Sequence, residues 1–277
     1  MCPSPKDPSE SFDRRIESFL ERVGFAKLDR LTGADGVSAN WDQLRISLSA
    51  QLPELRPYHF QADVLESSLV EASWNWQRRD KYLSVSITVS GAGFAKIHGR
   101  LRSLSTETTM VRIPYGPGPD GLGDLSVRHH AAGSDTIMWV YRNVCVSLDG
   151  DGPGADLGPI ATTIQRFMEA HRVTRVAEYL PRVDRIDRSA RRIQVGDEWR
   201  ISFQLGKNTP ADSVTTEIDE AIAGGGGHHL ESVRTADGEA TYRAVSPGTA
   251  RVEIHVVDRK TLLSPPLSAS VEILPAC

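Results

Sequence analysis

The chain has 277 residues, 39% of them hydrophobic and 25% charged, with a formal net charge of −4. That length holds two cores of ordinary size, and the composition is that of a globular protein rather than a disordered or fibrous one. A pI near 6.1 gives no bulk attraction to nucleic acid, and no run approaches the ~20 apolar residues of a membrane-spanning helix.

Residues 1–10, MCPSPKDPSE, read as a disordered Pro/Ser tether. They contain no apolar signal-peptide core. If the start is mis-assigned, Cys2 followed by Pro and Ser looks like the processed end of a lipid-anchored bacterial envelope protein. A lipid anchor at Cys2, and an exported or envelope location in preference to a cytoplasmic one, are then expected. Cys2, Cys145 and Cys277 form no CxxC pair and imply no disulfide framework; Cys145 reads as a small packed residue, and Cys2 and Cys277, in the two tails, are left as either reactive or paired.

Phe12, Ile16, Phe19, Leu20 and Val23 fall on one face of a 3.6-residue period, so residues 11–23 are expected to be a helix. Leu44-Arg45-Ile46-Ser47-Leu48 alternates and predicts a strand, and Pro53 and Pro57 are expected to break regular structure. Residues 68–77 and 82–90 predict two strands. In the second, Leu83, Val85, Ile87 and Val89 alternate with small hydroxyls, the pattern of an antiparallel sheet with one solvated face. Phe94, Ile97, Leu101 and Leu104 then fit a short helix. Strands follow at 111–115 and 124–130.

The run Thr136–Leu148, TIMWVYRNVCVSL, predicts a long central strand, ended by Asp149-Gly150-Asp151-Gly152-Pro153-Gly154. A helix with its N-cap at Asp156 buries Leu157, Ile160, Ala161, Ile164, Phe167 and Met168. Residues 11–180 are thus expected to be an α+β domain, an antiparallel sheet with helices on one face. Residues 181–193, where five Arg interleave with Asp, read as a linker. From 194 to 277 the composition turns to short strands, at 198–205, 229–235, 240–245, 251–258 and 268–274. Turn residues separate them: Asn208-Thr209-Pro210, Gly224–Gly227, Asp237-Gly238 and Pro247-Gly248. That spacing predicts an all-β sandwich.

Within that stretch, Gly238-Glu239-Ala240-Thr241-Tyr242-Arg243-Ala244, then Pro247-Gly248-Thr249-Ala250-Arg251-Val252-Glu253-Ile254, then Asp258, resembles the later strands of bacterial immunoglobulin-like domains. The resemblance covers roughly residues 194–275. It implies an immunoglobulin-like sandwich in a spacer or adhesion role, found on exported proteins, and it carries no catalytic residue.

No catalytic residue is assigned from the sequence. There is no GxSxG, and His129-His130 lack the HxH or HExxH spacing of a metal site, so neither metal nor cofactor is expected. His228-His229 follow a glycine run in a β context, which reads as a loop and not a phosphate cradle. Asp149-Gly150-Asp151-Gly152 lacks the rest of a calcium loop. The aromatic residues are the other binding candidates, with core filling beneath the helices as the favoured alternative. Trp74 and Trp76 share one face of a strand, as do Trp139 and Tyr141, and neighbouring strands would make them a platform for a sugar, an apolar ligand or a partner protein. His129 and His130 complete the candidate binding residues. The expectation is a non-enzymatic binding or interaction protein with an immunoglobulin-like spacer. The alternative is a hydrolase-like enzyme using His129 or His130 with Asp124.

Overall fold

The computed structural model describes residues 8–31, 33–66, 68–79, 81–106, 115–131, 133–151, 156–207, 214–218, 229–236 and 238–276. Cys2, Cys277, His228, Asp237, Gly224–Gly227, Asn208-Thr209-Pro210, Gly152-Pro153-Gly154 and positions 111–114 of one expected strand lie outside them. The first part of the chain forms α1 (Pro8–Val23), a 3-10 turn (Phe25–Arg30), β1 (Gly36–Val37), α2 (Trp41–Gln51), β2 (Arg56–Glu66), β3 (Leu69–Arg78), β4 (Lys81–Ser90), α3 (Phe94–Thr106) and β5 (Gly116–Pro117). It continues through β6 (Leu125–Ala131), β7 (Ser134–Tyr141), β8 (Val144–Asp151), α4 (Gly158–Ala170), β9 (Arg172–Val173) and a second 3-10 turn (Val176–Tyr179). The remainder is β10 (Val183–Arg188), β11 (Arg192–Gln194), β12 (Glu198–Leu205), β13 (Val214–Ile218), β14 (Leu230–Ala236), β15 (Glu239–Ala244), β16 (Gly248–Val256) and β17 (Leu267–Leu274). The protein is mostly β, and no described helix is long and apolar enough to cross a membrane.

The chain divides into two compact units. The first comprises residues 1–63, 71–178 and 260–262, and the second residues 64–70, 179–259 and 263–277.

A seven-stranded sheet, in the order β2-β3-β4-β8-β7-β6-β5, is the frame of the first unit. Its register puts Val85 opposite Leu148, Ile87 opposite Val146, and Trp139 opposite Val146 on the next strand, so these side chains share a face. Trp76 and Trp139 are fully buried on that face. Each indole N–H, which burial would leave costly if unmet, has a partner. Trp76 donates to Ser49 Oγ of α2 at 3.1 Å, and Trp139 donates to Gln165 Oε1 of α4 at 3.1 Å. The opposite face meets α3, where Arg100 and Thr88 both donate to Glu71 Oε2, at 3.0 and 2.9 Å. Helices therefore cover both faces, not the one face expected. The hydroxyls of β4 that read as solvent-facing include Thr88, which α3 buries.

Four further elements depart from the sequence reading. The long central strand is a hairpin, β7 and β8, turning at Arg142-Asn143 with Arg142 in the left-handed region at φ 57°. Residues 44–48 lie inside α2, because Asn40 accepts the Asp42 N–H as N-cap and Trp41, Leu44 and Leu48 form the buried stripe. The alternation that suggested a strand places Ile46 outward, 60% exposed. β2 was not expected at all. It is an edge strand exposed along most of its length, so it lacks an apolar alternation, and it tolerates Pro57. The supposed linker at 181–193 contains β10 and β11. β10 is also an edge strand, in which Val183 and Ile186 reach the core while Arg185, Asp187 and Arg188 face water.

The second unit has two four-stranded sheets, β10-β12-β15-β14 and β11-β17-β16-β13. All pairs are antiparallel except β11 with β17. Trp199, Ile201 and Tyr242 of the first sheet and Val252, Ile254 and Val271 of the second belong to one buried core. The period-2 pattern read in residues 251–257 places Val252, Ile254 and Val256 inside.

Asn143, fully buried in the β7–β8 turn, ties two separate segments of the first unit to that turn. Its Oδ1 accepts the Val37 N–H at 2.7 Å, and its Nδ2 donates to Ser90 O at 3.1 Å and Val37 O at 3.4 Å. Asn143→Ala would strand these groups in a dry site, and it is expected to cost roughly 2–4 kcal/mol of stability by urea unfolding. A loss under about 0.5 kcal/mol would show that water replaces the amide.

Candidate functional site

Three stretches of chain meet around a cleft in the first unit. α1 is stopped by Gly24, whose φ of 81° suits a residue without Cβ and whose N–H bonds Leu20 O and Glu21 O. The chain then doubles back through the 3-10 turn, planting Leu28 in the core. α3 runs alongside. Its Phe94, Ile97 and Leu101 are buried, and the adjoining stripe Ala95, His98, Gly99 and Arg102 borders the cleft.

The cleft has a volume of about 670 Å³. That is within the usual range for small-molecule sites, ~300–1,000 Å³. Leu20, Phe25, Leu28, Leu31 and Phe94 make its apolar wall, and Glu21, Asp29 and Arg102 bring exposed charges to its mouth. His98 is the polar group within it. Its ring stacks on Phe94 with centroids 6.2 Å apart and an interplanar angle of 14°. Burial pushes its imidazole below the ordinary value, against the pull of the Asp124 and Asp29 carboxylates. Near neutral pH the ring is therefore uncharged and offers one donor and one acceptor to a ligand.

The residues singled out in the sequence lie elsewhere. Trp74, Trp76, Trp139 and Tyr141 are all buried on the sheet face beneath α2 and α4. β4 and β8 separate β3 from β7, so the two aromatic pairs do not join into a platform. His129 and His130 point to opposite faces of β6. His129 packs edge-on against Tyr115 at 5.8 Å, while His130 is 72% exposed, with Nδ1 3.6 Å from Asp135 Oδ1. Asp124 accepts the Arg142 N–H at 2.7 Å and so braces the hairpin turn. His129 is five residues further on, about 17 Å along an extended chain, and the proposed His–Asp pair is not assembled. Cys145 is buried under α3 with its thiol pushed up to about 12, which leaves no thiolate for nucleophilic chemistry. Among the described residues, no three His, Cys, Asp or Glu side chains gather as a metal site requires.

Sequence reasoning passed over His98. It lies next to Ile97 of the buried stripe, and only its distance of four residues from Phe94 hinted that the two rings stack.

No family model matches the chain, and no curated protein matches it. Among solved structures it is similar to a polysaccharide lyase, at 7% identity and a TM-score of 0.23, over 78% of this chain and 33% of the lyase. The chain thus spans about a third of that protein's length, and a likeness this slight assigns neither fold nor activity.

The depressed His98 value has a measurable consequence. An unfolded imidazole titrates near 6.5 and the folded one below it, so between those values the unfolded chain binds more protons. The stability tied to neutral His98 is complete above about pH 6.5 and is lost as the pH falls through that window. His98→Gln should flatten this part of the profile, read as the change in urea midpoint between about pH 7.5 and about pH 5. An unchanged slope in the variant would assign the pH dependence to other groups.

Proposed function

We propose that the chain is a non-enzymatic binding protein, in which the first unit takes the apolar body of a small ligand into the His98 cleft and the second is an immunoglobulin-like spacer. The cleft carries this reading: an apolar hollow of ligand size, with one uncharged imidazole inside and ionic groups only at the mouth. Glu21 and Asp29 outnumber Arg102 there, and Asp124 adds its field at His98, which favours a ligand with an apolar or aromatic body and a cationic head.

The strand order of the second unit supports the spacer reading. In an immunoglobulin-like sandwich, strands A, B, E and D form one sheet and C, F and G the other. β10, β12, β15 and β14 stand in the first order and β13, β16 and β17 in the second, while β11 carries the first strand across to pair parallel with the last. The sandwich departs from antibody domains in its buried Trp199. That residue lies on the second strand of the first sheet and donates to Ala190 O at 2.9 Å.

Gly99 gives a direct test. A Cβ there meets nothing within 4 Å, and the residue borders the cleft. Gly99→Leu should fill the hollow while the helix gains up to ~1 kcal/mol from losing a glycine. Titration with thioflavin T, a cationic aromatic dye, is expected to show saturable binding to the wild type and an affinity at least about tenfold weaker in Gly99→Leu. Equal affinity in both proteins, or a wild type that prefers the anionic dye 1-anilinonaphthalene-8-sulfonate, would sink the assignment.

A further inference from the structure

The sheet face that meets α3 continues past it. At one end Thr88 stands opposite Cys145 beneath the helix; two rows further on, Ser84 stands opposite Asp149. Asp149 is in turn opposite Thr136, and Thr136 opposite His129. Four adjacent strands therefore present Ser84, Asp149, Thr136 and His129 as one continuous polar row, with neighbouring side chains about 5 Å apart. The next row, between this one and α3, runs Ser86, Ser147, Met138 and Val127, with the last two buried.

Asp149 is the anomaly in the row. Thr136 Oγ1 donates to its Oδ1 at 2.7 Å and Ser147 Oγ donates to its Oδ2 at 3.1 Å. Among the described residues no cation pairs with it. Desolvation pushes its carboxyl above the ordinary range, the two hydroxyls offset this in part, and Asp151 reinforces the rise. A half-buried carboxylate whose partners among the described residues are two hydroxyls costs folding energy that an Asn or Ser at this position would avoid. Sites that accept such a cost are commonly functional.

The remaining chemistry identifies the ligand class. A carboxylate has about four acceptor positions, and protein hydroxyls occupy two. A pair of vicinal hydroxyls supplies the two missing donors. The flanking groups, Ser84 and Ser86, are neutral and can both donate and accept, which suits further hydroxyls. Asp149 with Asp151 nearby repels phosphates and uronates. At the other end of the row His129 lies against the buried ring of Tyr115, whose phenol is pushed up by burial and by the Asp149 charge. That ring keeps its proton and gives the row an aromatic flank.

We propose that this row is a second binding site, for a neutral polyhydroxylated ligand of the sugar class, with Asp149 accepting two of its hydroxyls. It is separate from the cleft, with which it shares no lining residue. Isothermal titration of the full chain with cellotetraose, mannotetraose and xylotetraose tests it. At least one should bind in the millimolar range or tighter. Asp149→Asn and Ser84→Val, the latter placing a branched apolar group in the row, should each weaken binding at least about tenfold. Thermal unfolding is run beside each variant, and the Asp149→Asn midpoint should equal or exceed that of the wild type. If one variant fails to fold, the other decides. Saturating thioflavin T should leave sugar binding unchanged. The proposal falls if no tetrasaccharide binds, if binding survives in a folded variant, or if the dye displaces the sugar. It also falls if calcium or methylammonium, and not a sugar, binds in an Asp149-dependent way.

Discussion

The first unit depends on one buried amide. Asn143 sits where β7 turns into β8, and from there its side chain reaches β1 and the last residue of β4. The backbone adds the Ser90 N–H, which donates to Asn143 O at 2.9 Å. Ser90 is the last residue before the turn that starts α3, and its hydroxyl accepts the Ala92 N–H at 3.1 Å. The position of α3, and with it one wall of the cleft, thus follows from an amide in a hairpin turn. A hydrophobic residue could fill the same volume, but it could not satisfy the Val37 donor and acceptor together.

The same turn is braced from the other side. Asp124 accepts the Arg142 N–H, and Gly123, at φ 59°, lets the chain pass so close to Val140 that a Cβ would overlap its carbonyl oxygen. Gly123 N–H also donates to Gln165 Oε1, the atom that receives the Trp139 indole. One glutamine of α4 therefore ties the fully buried Trp139 to the loop that carries Asp124. Asp124 in turn places its field at His98. Groups that look unrelated in sequence act on the cleft because the hairpin end of the sheet collects them.

Much of this frame could be read from the sequence, and the failures share a cause. β4 was legible because both of its neighbours are strands and its faces differ, so alternation survives intact. The hairpin was not, because Tyr141-Arg142-Asn143-Val144 lacks the Gly that usually marks a two-residue turn, and Arg142 takes the left-handed conformation in its place. β2 and β10 escaped because edge strands carry the charges and prolines that otherwise mark loops. The aromatic residues were visible as a group, but their use depends on strand order. Two strands inserted between β3 and β7 turn a platform into core packing, and no local pattern specifies that insertion. The settings of His98 and Asp149 were not legible for a related reason. Each is a common residue in an ordinary pattern, made unusual only by what distant segments bring against it.

The two groups are displaced toward their neutral forms by the same force. Burial lowers His98 and raises Asp149, and in both cases the nearby groups that favour charge do not fully compensate. A protein selected for stability alone would pair or replace such residues. Both can be carried because the opposite sheet face is dense with stabilising burial. Trp76 and Trp139 are enclosed there, each worth roughly 3–5 kcal/mol against truncation to Ala, with their indole donors met. The alternation of a β-strand makes this division possible: one set of residues closes the core under α2 and α4, and the interleaved set packs under α3 and, beyond it, carries the polar row around Asp149.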